Sequence, residues 1–103
     1  MLLTKYGVAE VSDTQQTIMR LTNQLWKLIP MRENEEDWQK QLDSLVLEIT
    51  GMNEIFVING TLMSLLSKLE GLRTMPDIPF NLYRKTVFES ISLLQEFGRG
   101  IAQ

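Results

Sequence analysis

The sequence predicts an all-α protein, a single domain over residues 1–103 folded as an antiparallel up-down four-helix bundle with left-handed packing. Four segments repeat apolar residues at steps of three and four, the spacing of one helix face. Short connections join these segments, so that successive helices become antiparallel neighbours. A chain of 103 residues that is 44% apolar can bury one modest core. The predicted helices cover 13–29, 33–50, 53–72 and 79–97.

The first helix has a start signal and a stop signal. Ser12 with Gln15, or Asp13 with Gln16, has the spacing of a capping box, in which side chains satisfy unpaired backbone N–H groups. Pro30 lacks an N–H donor and is predicted to end the helix one residue earlier. The residues of its apolar face follow at steps of three, four and three: Ile18, Leu21, Leu25 and Leu28.

The second helix is predicted to open with acidic residues, which would oppose the positive end of the helix dipole. These residues are Glu33, Glu35, Glu36 and Asp37. Its apolar seam consists of Trp38, Leu42, Leu45, Ile49 and Met52. Gly51 then stands where a left-handed C-terminal cap is expected.

The third helix is predicted to begin at a capping Asn53, but its first residues allow two interpretations. Residues 54–58 are rich in β-branched side chains and precede Asn59-Gly60, a strong hairpin signal. A hairpin needs a second strand, however, and residues 61–69 do not alternate. A helix with a bend at Gly60 is therefore favoured over a strand. The apolar face of this helix comprises Ile58, Leu62, Leu65, Leu66, Leu69 and Leu72.

The fourth helix follows a break imposed by Pro76 and Pro79. Its predicted core face comprises Phe80, Tyr83, Val87, Ile91 and Leu94, with Phe88 and Phe97 on a flank. Gly98 is predicted to cap its C-terminal end. The N-terminal segment, residues 1–10, shows no clear periodicity and is predicted to form an arm, either loose or docked on the bundle.

The amino-acid composition argues against catalysis and metal binding. The chain has no His and no Cys, which excludes Cys-based zinc sites, disulfides and His-assisted nucleophiles. The acidic run 33–37 has a sufficient explanation in the helix dipole. We therefore predict no catalytic residue, no metal and no cofactor, and a protein that is not an enzyme.

The distribution of charged residues limits the kinds of partner that the protein can bind. Residues 1–54 carry five basic and nine acidic side chains, and residues 55–103 carry five basic and four acidic ones. This balance lacks the basic footprint that nucleic-acid binding requires. The sequence predicts neither a signal peptide nor a membrane-spanning helix. We expect a cytoplasmic protein, peripheral to the membrane at most, that is a monomer or a weak dimer.

Two surfaces are candidates for binding a partner. Basic residues flank the aromatic side of the fourth helix, and Tyr and Arg are favoured at interface hot spots, although surface charges are more often merely solvated. The predicted contact residues are Phe80, Tyr83, Arg84, Lys85 and Arg99. The second candidate is an apolar patch around Ile55, Phe56 and Val57, for which central burial is the competing interpretation.

These residues carry a family resemblance. The segments Ile78-Pro79-Phe80-Asn81-Leu82-Tyr83 and Ser92-Leu93-Leu94-Gln95-Glu96-Phe97-Gly98-Arg99 resemble the fourth helix of immunity proteins against pediocin-like bacteriocins, in particular the enterocin A immunity group of lactic-acid bacteria and streptococci. Overall length and the four-helix layout are also similar.

The resemblance implies a cytosolic four-helix bundle without enzymatic activity that gives resistance to an antimicrobial peptide. Such proteins recognise the mannose phosphotransferase permease with bound bacteriocin from the inner side of the membrane. Their C-terminal half selects the bacteriocin, which here would assign the contacts to the third and fourth helices. The alternative is a helical adaptor or antitoxin-like protein that sequesters a protein partner through an apolar helix face.

Overall fold

The computed structural model describes residues 2–4, 7–9, 11–55 and 60–101, with side chains within 14–54 and 60–100. Four helices form the fold, as predicted: α1 (Val11–Glu33), α2 (Trp38–Ile55), α3 (Gly60–Thr74) and α4 (Phe80–Ile101). Each helix packs against the next one in sequence, and α4 also packs against α1, which closes the bundle. The molecule measures 41 × 21 × 19 Å, so the helices run along its long axis.

The predicted apolar faces form one shared core. The side chains at these positions in α1 and α2 are at most 9% exposed, and the central ones are fully buried. Leu62, Leu65, Leu69 and Leu72 supply the core from α3, and Tyr83, Val87, Ile91, Leu94 and Phe97 supply it from α4. Leu66 and Phe88 are half-buried at its edge. The predicted position of Ile58 lies outside the described residues.

The first helix extends beyond Pro30, contrary to the prediction. A proline in the last turn removes only one N–H donor, and the carbonyl of Pro30 still accepts from the N–H of Asn34 at 2.9 Å. The helix ends at Glu33, and its C-terminal turn is closed by Glu35, whose φ of 57° is left-handed. The Glu36 N–H donates to the Met31 carbonyl and the Glu35 N–H to the Arg32 carbonyl, the bonds of a Schellman motif.

The acidic residues 33–37 therefore belong to the connection and not to the first turns of α2. Asp37 is the N-cap of α2, because its Oδ1 accepts a hydrogen bond from the Lys40 N–H at 3.1 Å. Helix α2 begins at Trp38, five residues later than predicted. Of these acidic residues, Asp37 caps α2, and the predicted interaction with the helix dipole therefore applies to its side chain.

The other end of α2 also differs from the prediction. Gly51 does not cap the helix, since α2 continues through Gly51 and Asn53 to Ile55. Helix α3 begins at Gly60, so the Asn53 cap and the bend at Gly60 are both wrong. Glu54 and Ile55 are helical, which contradicts a strand at that point. The remainder of the proposed strand, residues 56–59, lies outside the described residues, as do the side chains of the candidate patch 55–57.

Helix α4 runs past Gly98 to Ile101, so the predicted C-terminal cap at Gly98 is wrong. At the N-terminus, β1 (Leu2–Thr4) pairs antiparallel with β2 (Gly7–Ala9). Sequence periodicity did not reveal this hairpin, since three-residue strands are too short to establish alternation.

Substitution of Gly51 tests whether it lies inside α2 or ends it. A Cβ built on Gly51 meets no atom within 4 Å, so we expect Gly51→Ala to raise the free energy of unfolding by about 0.5–1 kcal/mol. Urea unfolding followed by circular dichroism measures the change. Gly60→Ala is the control, because the first position of α3 gains little from helix propensity. A left-handed cap at Gly51 would give the opposite sign, a loss of stability.

Candidate functional site

The predicted contact residues all belong to α4, which runs antiparallel to α1 and forms a seam with it. At one end of the seam, Gln15 Nε2 donates to the Gly98 carbonyl at 2.7 Å. At the other end, the Arg32 guanidinium donates through Nη2 to the Ile78 carbonyl, immediately before α4. These two side chain–backbone bonds set the register between the helices, and therefore determine which surface residues of α1 and α4 become neighbours.

Tyr83 lies inside the bundle, where a partner cannot touch it. Its side chain is 0% exposed, and its hydroxyl donates to the Leu28 carbonyl at 2.7 Å. The predicted core position of Tyr83 is thus confirmed, whereas its predicted role as a surface contact is corrected. The misassignment arises because Tyr favours both interfaces and cores that offer its hydroxyl a hydrogen-bond partner.

Tyr83 is the centre of an aromatic cluster at the α1–α2 end of the molecule. Trp38 meets it edge-on, with ring centres 5.0 Å apart, and Phe80 stacks on it at 6.1 Å. The guanidinium carbon of Arg32 lies over the Tyr83 ring, 4.7 Å from its centre, and 5.6 Å from that of Trp38. Phe80 is half-buried by this packing, so it contributes to the cluster and offers only part of its ring to a partner.

Burial raises the pKa of the Tyr83 phenol above its ordinary value, because an ionised phenolate would lose its hydration in the core. The positive charge of Arg32 lowers the same pKa, but by less. The phenol therefore stays neutral and donates its hydrogen bond throughout the physiological pH range. Tyr83 is a structural donor and not an acid–base group.

Arg84 belongs to a second aromatic group, which does reach the surface. Its guanidinium carbon lies 5.1 Å from the ring centre of Phe88, one helical turn further along α4. Phe88 in turn meets Trp26 of α1 edge-on, with ring centres 5.2 Å apart. Trp26 is 44% exposed and Arg84 is exposed. The three side chains form a continuous basic and aromatic surface across the seam.

The predicted contact edge is not one compact patch. Lys85 is exposed beside Arg84, on the outer side of α4. Arg99 is also exposed, but it stands fifteen residues further along the same helix, about 22 Å away at 1.5 Å per residue. Arg99 nevertheless lines a groove together with α1, and Arg84 lies over Phe88, which contacts Trp26 of α1.

Beside Arg99, the seam opens into a groove of about 690 Å³. Gly98 forms part of its floor. A Cβ there would lie 3.5 Å from both Gln15 Oε1 and Ile18 Cγ2, which is ordinary van der Waals contact, so the space beside Gly98 would also admit an alanine. The groove is lined by Gln15, Ile18, Met19, Thr22, Asn23, Gln95, Gly98 and Arg99.

Within residues 14–54 and 60–100, no three acidic side chains converge to hold a metal ion. The buried Ser90 hydroxyl donates to the Thr86 carbonyl within its own helix. This arrangement provides apolar, aromatic and basic surface, which suits recognition of another molecule.

Sequence reasoning left the exposure of Trp26 open, and it missed Met19 as a member of this surface and Arg32 as an anchor. Met19 and Trp26 stand seven residues apart on one face of α1, a spacing that could have indicated an exposed apolar stripe. Arg32 falls between the predicted helices 13–29 and 33–50, and its role depends on residues of three other segments. No pattern in the sequence therefore predicts the anchoring role of Arg32.

Comparisons with family models, with curated proteins and with solved structures found no match to this chain. Across the part of the chain that the structure describes, the helices lack the length and apolar character needed to cross a membrane.

Proposed function

We propose that this chain is a binding protein that protects a bacterial cell from a pediocin-like bacteriocin. It acts in the cytoplasm, at the inner face of the membrane, on the mannose phosphotransferase permease that holds the bacteriocin. Support comes from the resemblance of the segments 78–83 and 92–99, and from the four-helix fold, which the immunity group shares. The observation that carries the proposal is the exposed surface of Trp26, Phe88 and Arg84.

This surface supports binding for a physical reason. Trp and Arg are the residues that most often dominate binding energy, and a guanidinium stacked on an aromatic ring loses little freedom when a partner covers it. A contiguous apolar patch on a protein surface often marks a site of interaction with another molecule. The same surface would equally serve the alternative, a helical adaptor that sequesters a different protein.

Expression in a bacteriocin-sensitive strain tests the proposal. We expect cells that produce the chain to survive at least one member of a panel of pediocin-like peptides at concentrations that kill the vector control. Immunoblotting confirms that the protein accumulates. Unchanged sensitivity to every peptide, with the protein present, would contradict immunity.

Affinity capture separates the two functions. We expect the tagged protein to retain permease subunits only from cells treated with the bacteriocin. Retention of an unrelated protein from untreated cells, without the permease, would favour the adaptor.

A further inference from the structure

The surface along the α1–α4 seam combines the groove beside Arg99 with the aromatic group at Arg84. Met19 is 67% exposed and Trp26 44% exposed along its α1 side, and Phe88 lies on its α4 side, one helical turn from Arg84. Arg84 and Arg99 stand at the two ends. We call this surface the seam groove and define it by Gln15, Met19, Thr22, Trp26, Arg84, Phe88, Gln95 and Arg99.

The two arginines of the seam groove differ from the other arginines of the chain. Arg20 pairs with Glu48 at 2.6 Å, and Arg73 pairs with both Asp43 and Glu70. Arg32 donates to the Ile78 carbonyl. Among the described residues, Arg84 and Arg99 alone of these five have neither an ion pair nor a hydrogen bond from their guanidinium groups.

The lining of the groove supplies no carboxylate to neutralise them. Its polar members are amides and a hydroxyl, from Gln15, Thr22, Asn23 and Gln95. The chain as a whole carries a net charge of −3, so this local excess of positive charge runs against the overall balance. Electrostatic complementarity therefore favours an occupant that carries negative charge.

A second copy of this chain does not meet that requirement. A two-fold axis through the groove would place Arg84 opposite Arg99 with the helices antiparallel, or each arginine opposite itself with the helices parallel. Both arrangements bring like charges together without a carboxylate between them. The occupant must be a different molecule, with carboxylates near both ends of an apolar stretch.

We propose that the seam groove binds an acidic amphipathic helix of a partner protein. Two antiparallel helices present a groove that accepts the apolar face of a third helix. Because Arg84 and Arg99 are about 22 Å apart along the axis, the carboxylates on that helix stand about fourteen or fifteen residues apart, near the same face. This inference rests on the proposed binding function and names the chemistry of the segment bound.

Nuclear magnetic resonance on the intact chain tests the proposal directly. The probe is a synthetic helical peptide of about fifteen residues, with leucines at the spacing of one face, glutamates in its first and last turns and glutamines elsewhere. We expect its addition to shift the Trp26 indole signal and the amides around Met19 and Phe88, while the indole signal of buried Trp38 stays in place. A peptide with lysines in place of the glutamates should bind about tenfold more weakly or worse.

Charge reversal in the protein provides the matched variants. Arg84→Glu with Arg99→Glu should weaken binding of the glutamate peptide by about tenfold or more. The control changes the protein charge equally on α2, away from the groove, with Gln39→Glu, Lys40→Glu and Ser44→Glu, and should bind as the unchanged chain does. Equal binding of both peptides, or unchanged binding by the double variant, would overturn the proposal. Vesicles containing phosphatidylglycerol that shift the same signals, with no shift from the peptide, would assign the groove to lipid and also overturn it.

The outcome separates this inference from the proposed function. Binding of the glutamate peptide in a protein that gives no protection would leave the groove assignment intact and remove the immunity proposal. Full protection by the Arg84→Glu, Arg99→Glu variant, in cells that the unchanged chain protects, would leave the immunity proposal intact and remove the groove from the protective function. The control variant must protect in the same assay.

Discussion

Replacement of Tyr83 by alanine is expected to lower the free energy of unfolding by about 4 kcal/mol, the typical cost of removing a large buried aromatic side chain. The side chain is fully buried among Trp38, Phe80 and the guanidinium of Arg32, and alanine would leave a cavity where these three groups meet. Domains of this size are commonly stable by only about 5–15 kcal/mol. The substitution therefore threatens the fold itself.

A second substitution separates packing from hydrogen bonding at the same position. Tyr83→Phe keeps the ring and removes only the hydroxyl that donates to the Leu28 carbonyl, so the expected loss is about 1 kcal/mol. Urea unfolding followed by circular dichroism measures both variants. Leu82→Ala is the control, because Leu82 is 46% exposed on the neighbouring position and should change stability by about 0.5 kcal/mol or less. A Tyr83→Ala protein that unfolds at the unchanged midpoint would contradict the buried position.

The raised pKa of Tyr83 gives this prediction a pH dependence. Because the folded protein holds the phenol neutral, the contribution to stability is complete below the ordinary pKa of tyrosine, about 10, and is lost as the pH rises above it. Tyr83→Phe has no phenol at this position to ionise. Its stability should therefore fall less steeply than that of the unchanged protein above about pH 10.

The Tyr83 result also decides how loss of function is to be interpreted. A Tyr83→Ala protein that fails to protect cells would have lost its fold before it lost a contact. Arg84, whose side chain is exposed over Phe88, tests the surface without that ambiguity. Substitutions intended to map binding therefore belong at Arg84, Trp26 and Arg99.

The apolar faces could be predicted from sequence because burial leaves a regular spacing. Leu21, Leu25, Leu42 and Leu45 all occupy their predicted core positions. Helix ends could not be predicted equally well, because their signals depend on context. Pro30 is tolerated in the last turn of α1, where it removes a single donor. The residue with left-handed backbone that does end α1 is a glutamate, which gives no such signal in the sequence.

The candidate surface was only partly visible in the sequence for a related reason. Arg84 and Phe88 are one turn apart on the same helix, so their contact follows from spacing alone. The contact of Phe88 with Trp26 depends on how α1 and α4 are aligned, which is set by bonds between residues distant in sequence, such as Gln15 to Gly98. The buried Tyr83 hydroxyl donates its hydrogen bond to the Leu28 carbonyl, which is fifty-five residues away in the sequence. Patterns within one helix cannot reveal either arrangement.

Arg32 is the second position where substitution is expected to have a large effect. Its guanidinium lies over two aromatic rings and holds the Ile78 carbonyl, so it connects α1 to the segment that leads into α4. Its other terminal nitrogen, Nη1, is buried and has no hydrogen-bond partner among the described residues. We expect Arg32→Ala to lower the free energy of unfolding by about 2–3 kcal/mol, through loss of the charged hydrogen bond and of the packing on the rings.

Arg32→Met tells which property of the side chain matters. Methionine keeps much of the packing volume and removes both the buried charge and the unpaired Nη1 donor, whose burial is itself unfavourable. We therefore expect Arg32→Met to be less destabilising than Arg32→Ala by about 1 kcal/mol or more in the same urea unfolding measurement. Equal losses in the two variants would show that the hydrogen bond to Ile78 dominates. The α1–α4 register would then depend on that one bond, and both variants should also shift the amide signals at the start of α4.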